Sequence, residues 1–128
     1  ALTPDAHGER ILLVEDQPRV RQLLKRQLAR LGYAVVEAAD AAAALDRLAE
    51  ARIDLLLTDI VLPGGIDGVR LAELALAHRP DLALVLTTGY AAPALTAGHG
   101  LPAAPILRKP FDQDELAKVL RQALAGRA

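Results

Sequence analysis

A chain of 128 residues, 52% hydrophobic and 24% charged, has the size and composition of one globular domain that can bury a core. Its formal net charge of −1 lacks the basic footprint of a nucleic-acid binder, and the absence of cysteine excludes a disulfide framework and a thiolate metal site. A reducing, cytoplasmic setting fits this composition, no apolar run approaches the roughly 20 residues that span a bilayer, and no signal peptide is visible.

Aromatic residues make up only 2% of the chain, so the core must be aliphatic. Residues 1–9 are polar, with Pro4 and Gly8, and read as a linker or tail; residues 10–128 read as one domain. Ile11-Leu12-Leu13-Val14 is too short for a helix and reads as a strand buried on both faces. Glu15 and Asp16 follow it, and Pro18 sits where a helix begins. Val20, Leu23, Leu24, Gln27, Leu28 and Leu31 mark that helix's inner face, and Gly32 stops it.

Ala34-Val35-Val36 reads as a second strand and Ala41 to Ala51 as a second helix with Leu45 and Leu48 inward. Ile53 to Thr58 is a third strand, ending in Asp59. After the Pro63-Gly64-Gly65 loop, Val69 to His78 is helical and Pro80 closes it. Leu82 to Thr87 is a fourth strand. Three prolines and two glycines between Ala91 and Pro105 leave room only for a short or irregular fourth helix. Ile106-Leu107 begins a brief fifth strand leading to Arg108 and Lys109, and Asp112 with Glu115 forms a capping box for the last helix. Leu116, Val119, Leu120 and Leu124 form that helix's buried face. This β-α alternation with buried strands predicts an α/β fold, a doubly wound parallel sheet with helices on both faces.

Ligands of such sheets bind at the carboxyl ends of the strands. The polar groups of this chain gather there: Glu15 and Asp16 after the first strand, Asp59 after the third, Thr87 and Thr88 on the fourth, Lys109 after the fifth. Three carboxylates together repel one another and call for a cation. Hard oxygen ligands without His or Cys favour Mg²⁺, which binds through one or two carboxylates plus a phosphate. Lys109 and a hydroxyl offer donors to phosphate oxygens, and a carboxylate is a competent nucleophile towards a phosphoryl group. Asp59, on the middle strand, is the natural nucleophile.

Taken singly, each of these residues has an ordinary reading. Glu15 and Asp16 can cap the first helix, Asp59 can sit in a turn, the threonines can end a strand, and Lys109 can be solvated. Their coincidence at one sheet edge favours chemistry. His7, His78 and His99 have no metal-ligand spacing, and Arg19, Arg21, Arg26 and Arg30 read as solvated, with Arg19 or Arg21 available to a partner's acidic face.

Four pieces in order, Leu13-Val14-Glu15-Asp16, Leu57-Thr58-Asp59-Ile60 with Pro63 and Gly68, Thr88-Gly89-Tyr90, and Lys109-Pro110-Phe111, resemble a response-regulator receiver domain. The resemblance runs from about Arg10 to Ala125. It implies a flavodoxin-like (βα)5 sheet with strand order 2-1-3-4-5, an order for which a chemotaxis receiver is a standard example. It implies that Glu15, Asp16 and Asp59 hold Mg²⁺ with the backbone carbonyl of Val61, and that Asp59 accepts the phosphoryl group. Thr88 rather than Thr87 would bond that group, Lys109 would contact it, and the Lys109–Pro110 bond would be cis. The implied donor is a histidine kinase or a histidine-containing phosphotransfer protein. As an isolated domain the chain would not be an enzyme beyond its own phosphorylation and dephosphorylation, and a monomer is favoured.

Three departures narrow the resemblance. The loop Pro63 to Gly68 is one residue longer than the commonest form and resembles receivers of hybrid histidine kinases. Ile106 stands where the family carries a switch aromatic, and Pro93, Gly98, Gly100 and Pro102 erode the fourth helix. Together they suggest a relay receiver, the C-terminal receiver of a hybrid kinase or a stand-alone one. Val61 and Tyr90 would flank the site with apolar bulk and leave water unpositioned, so hydrolysis of the phosphorylated state should be slow. A metal-dependent aspartyl phosphatase would need an acid at Val61, and a nucleotide module would need a glycine-rich loop where Glu15-Asp16-Gln17-Pro18 stands. The surviving alternative is a pseudo-receiver that binds partners without phosphorylation.

Overall fold

The structure, a computed structural model, describes residues 8–89 and 105–126. Five parallel strands, β1 (Arg10–Val14), β2 (Ala34–Ala38), β3 (Leu55–Asp59), β4 (Ala83–Thr88) and β5 (Ile106–Arg108), form one sheet in the order β2-β1-β3-β4-β5. Helices α1 (Pro18–Arg30), α2 (Ala41–Glu50) and α3 (Gly68–His78) follow the first three strands, and a C-terminal helix (Gln113–Ala125) follows β5. The expected fold class and strand order are those observed. Among the described residues no helix is long and apolar enough to cross a membrane. The segment expected to hold the irregular fourth helix, with Tyr90, Pro93, Gly98, Gly100 and Pro102, lies outside the described residues, as do most of the expected tail and His7 and His99.

Alternation along the central strands builds two aliphatic layers. Leu12, Val14, Leu56, Leu84 and Leu86 pack with α2 and α3, among Leu48, Leu71, Ala72 and Ala75. Ile11, Leu13, Leu55, Leu57 and Val85 pack on the other face, against Leu24, Leu28, Leu116 and Leu120 of α1 and the C-terminal helix. This is why β1 and β3 are continuous apolar runs: residues of either parity are buried, each contributing about 1.5–3 kcal/mol.

Helix starts follow their local chemistry. Asp40, Asp67 and Asp112 accept hydrogen bonds from the amides of Ala43, Arg70 and Glu115 at 2.8, 2.9 and 2.8 Å. The Asp112–Glu115 capping box is complete. Gly32, at φ 95°, makes the left-handed turn that ends α1. One expected core position is corrected: Leu23 is 54% exposed. It lies one residue, about 100° of helix, from Leu24, which takes the inward position.

Candidate functional site

The parallel register sets the carboxyl edge of the sheet. Val14 pairs with Thr58 and Asp59 with Thr87, while Thr88 pairs with Arg108. Glu15, Asp59 and Lys109 therefore leave three strands at one edge, with β3 in the centre. One carboxylate oxygen from each of Glu15, Asp16 and Asp59 lies within 4.8 Å of the others. Asp16 is exposed, Asp59 partly buried and Glu15 only 1% exposed.

Lys109 reaches into this acidic group. Its Nζ donates to Glu15 Oε1 at 2.8 Å and to Asp59 Oδ2 at 3.0 Å. The second Glu15 oxygen, Oε2, accepts from the Gln17 amide at 3.1 Å. Burial alone would lower the Lys109 pKa. Hydrogen bonds to Glu15 and Asp59, and the attraction of both carboxylates, outweigh it and hold the ammonium above its ordinary 10.5. The Lys109–Pro110 bond is cis, as the resemblance implied.

One ammonium among three carboxylates leaves an excess of negative charge, and the donors are all hard oxygens. The residues thus fit a small divalent cation, with Asp16 and Asp59 facing an open cleft of about 620 Å³. Gln17, Val61, Pro63, Gly89 and Lys109 also line this cleft. The Val61 amide donates to Asp59 Oδ1 at 3.4 Å, and the residue is 48% exposed. Thr88 is fully buried, with Gly89 rather than Thr88 on the cleft wall. Thr87 is buried at 2% exposure, beside Asp59 in register.

Two supports were not legible in the sequence as site residues. Arg21, expected to be solvated, has a side chain only 20% exposed; its Nη1 donates to the Glu15 carbonyl at 2.8 Å and its Nε lies 3.4 Å from Glu37 Oε1. The acceptor is a backbone carbonyl, which no side-chain pattern announces. Gly68 starts α3 directly against Asp59: an added Cβ would collide with the Asp59 carbonyl oxygen and lie 2.9 Å from Ile60 Cα. As for helix capping, the N-cap of α1 is Gln17 without a side-chain cap, so neither Glu15 nor Asp16 takes that position.

The model of the response regulator receiver domain matches residues 11–121. The chain is 40% identical over 117 residues to the response regulator receiver protein CpdR of Brucella abortus, covering 91% of this chain and 97% of that one. It is 37% identical over 116 residues to the response regulator MprA of Mycobacterium tuberculosis, covering 90% of this chain and 50% of that one. The chain therefore spans nearly all of the first relative and half of the second. Among solved structures, a response regulator receiver protein from Sinorhizobium medicae superposes with a TM-score of 0.87 at 30% identity, covering 94% of this chain and 98% of that one. The response regulator TrrA of Thermotoga maritima, solved in complex with Mg²⁺–BeF, gives a TM-score of 0.78 at 29% identity, covering 91% and 99%.

Proposed function

Because the chain belongs to the response-regulator receiver family of two-component signalling, we propose that Asp59 accepts a phosphoryl group from a phosphohistidine in a Mg²⁺-dependent reaction. The observation that carries this reading is the meeting of Asp59 with Glu15, Asp16 and the Lys109 ammonium at one sheet edge, open to a cleft.

An Asp59 carboxylate oxygen forms the new P–O bond as the P–N bond to the donor imidazole breaks, and the imidazole nitrogen keeps the electron pair. Asp59 is placed for this attack at the end of the central strand. Lys109 neutralises charge on the phosphoryl oxygens and holds Glu15. Gly89 lines the cleft beside the buried Thr88, whose hydroxyl this reading assigns to the phosphoryl group in the phosphorylated state. Glu15, Asp16, Asp59 and the Val61 carbonyl would hold Mg²⁺, which when bound neutralises the carboxylates and the incoming oxygens. The Mg²⁺–BeF complex of TrrA, a relative in fold and sequence, supports this assignment.

The donor in this reading is a histidine kinase or a histidine-containing phosphotransfer protein, and the isolated domain is a participant in its own modification rather than a turnover enzyme. The long Pro63 to Gly68 loop and Ile106 in place of an aromatic favour a relay role in a hybrid kinase or a stand-alone receiver.

The test is incubation with Mg²⁺ and a small phosphodonor such as acetyl phosphate, read by intact mass. The wild type should gain one phosphoryl group and Asp59→Asn none. An unchanged wild-type mass would leave the pseudo-receiver reading in its place.

A further inference from the structure

Glu15 is held on both sides of its backbone. Its amide donates to the Ala38 carbonyl of β2 at 3.1 Å, and its carbonyl accepts from Arg21 Nη1 at 2.8 Å. That carbonyl lies on the peptide plane that leads to Asp16. Whatever fixes the plane also fixes the position of the Asp16 Cα and leaves only rotation about its N–Cα bond to set the direction from which the side chain leaves the chain. No hydrogen bond or ion pair involves the Asp16 carboxylate among the described residues, so its aim towards Asp59 depends on the backbone beneath it.

Arg21 is itself anchored. Its Nε faces Glu37 Oε1 at 3.4 Å, and the other Glu37 oxygen is held by Lys25 Nζ at 3.0 Å. Glu37 belongs to β2 and pairs in register with Leu13. The planar guanidinium thus ties the β1–α1 turn to the neighbouring strand through two different nitrogens, an arrangement that a single ammonium cannot reproduce.

We infer that Arg21 is a positioning residue for the cation-binding acids: it sets the Glu15–Asp16 peptide so that Asp16 and Asp59 face one ion. The inference rests on reading the site as a Mg²⁺-dependent phosphoacceptor. Residues that orient ligands without touching the metal commonly change its affinity by 10- to 100-fold when replaced.

The experiment titrates Mg²⁺ alone into the isotopically labelled chain and follows the amide resonances of Asp16, Gln17 and Asp59. Arg21→Met keeps the apolar stem and removes every donor; it should weaken Mg²⁺ binding on the order of tenfold. In the metal-free protein it should also shift the Asp16 and Gln17 amides. Arg21→Lys should fall between the two. Saturating Mg²⁺ should restore phosphoryl uptake by Arg21→Met, which a general loss of structure would not allow. A folded Arg21→Met chain with wild-type Mg²⁺ affinity overturns the inference. Should that variant not fold, Glu37→Gln, which loosens the anchor but spares the carbonyl bond, carries the test: weaker Mg²⁺ binding supports the inference and unchanged binding overturns it. A wild-type chain that binds no Mg²⁺ overturns the reading of the site and this inference with it, and shows itself before any substitution is compared.

Discussion

Lys109 Nζ stands 2.8 Å from Glu15 Oε1, although 94 residues separate the two in the chain. Glu15 is almost wholly buried, and its two carboxylate oxygens are taken up by this partner and by the Gln17 amide. Removing one member of such a pair leaves the other desolvated and uncompensated. Lys109→Met should therefore lower stability by about 1–3 kcal/mol. The sign of the pH dependence follows from the raised Lys109 pKa. The folded state binds this proton more tightly than the unfolded chain, so the contribution is fully present below 10.5 and is lost as pH rises through the higher folded value. Urea unfolding of wild type and Lys109→Met should give a constant difference from neutral to mildly alkaline pH. A difference that vanishes within that range would contradict this account.

Gly68 is constrained by contact rather than by backbone angle. Its missing side chain is what lets α3 begin against the Asp59 carbonyl. Val69, Leu71, Ala72 and Ala75 lock the same helix into the core, so it cannot slide away freely. Gly68→Ala should cost about 1–3 kcal/mol through this overpacking. The larger effect should be on chemistry, because the displaced backbone is that of Asp59 and Ile60; phosphoryl uptake should slow on the order of tenfold or more. Denaturation midpoints and uptake rates on the same preparation check both. Full uptake with lost stability would show that the contact serves packing alone.

Arg79 gives the opposite separation of stability from chemistry. It donates to the carbonyls of Leu48 and Ala51 at 3.1 and 3.0 Å and to Ile53 at 3.4 Å, tying the end of α2 and the approach to β3 to the end of α3. Arg79→Met leaves those carbonyls without their donor and should destabilise the chain by about 1.5–3 kcal/mol. The residue is remote from the carboxyl edge, so uptake per folded molecule should be unchanged. A variant that loses uptake while keeping its unfolding midpoint would refute this division.

These supports also show where the sequence stopped being readable. The strands and their acidic ends were legible because a buried parallel strand is a continuous apolar run, and Glu15 or Asp59 at its end breaks that run visibly. Lys109 was legible as a partner because the fold order brings β5 to the same edge. Arg21 was not, since its acceptor is the Glu15 carbonyl and its anchor, Glu37, lies across a strand register that periodicity does not specify. The exposure of Leu23 was not legible because adjacent leucines at 23 and 24 satisfy the same loose helical pattern, and only packing decides which one turns inward. Gly68 was visible as a motif residue, while the collision that requires it depends on where α3 meets β3.

If Asp59 is the phosphoacceptor, Val61 bears on how long the modified state lasts. It stands two residues past Asp59 in the lining of the cleft and is 48% exposed. Hydrolysis requires a water oxygen to attack phosphorus in line as the P–O bond to Asp59 breaks, releasing phosphate and restoring the carboxylate. An isopropyl group neither donates to nor accepts from that water, so nothing at this position holds it for attack. An amide there can do both. Val61→Asn should shorten the lifetime roughly threefold to tenfold, well under the 10²–10⁴ of a general base. The measurement follows loss of the phosphoryl mass after the donor is removed, with Mg²⁺ kept constant. A wild-type lifetime of only seconds, or no change in Val61→Asn, would show that water is positioned by other groups.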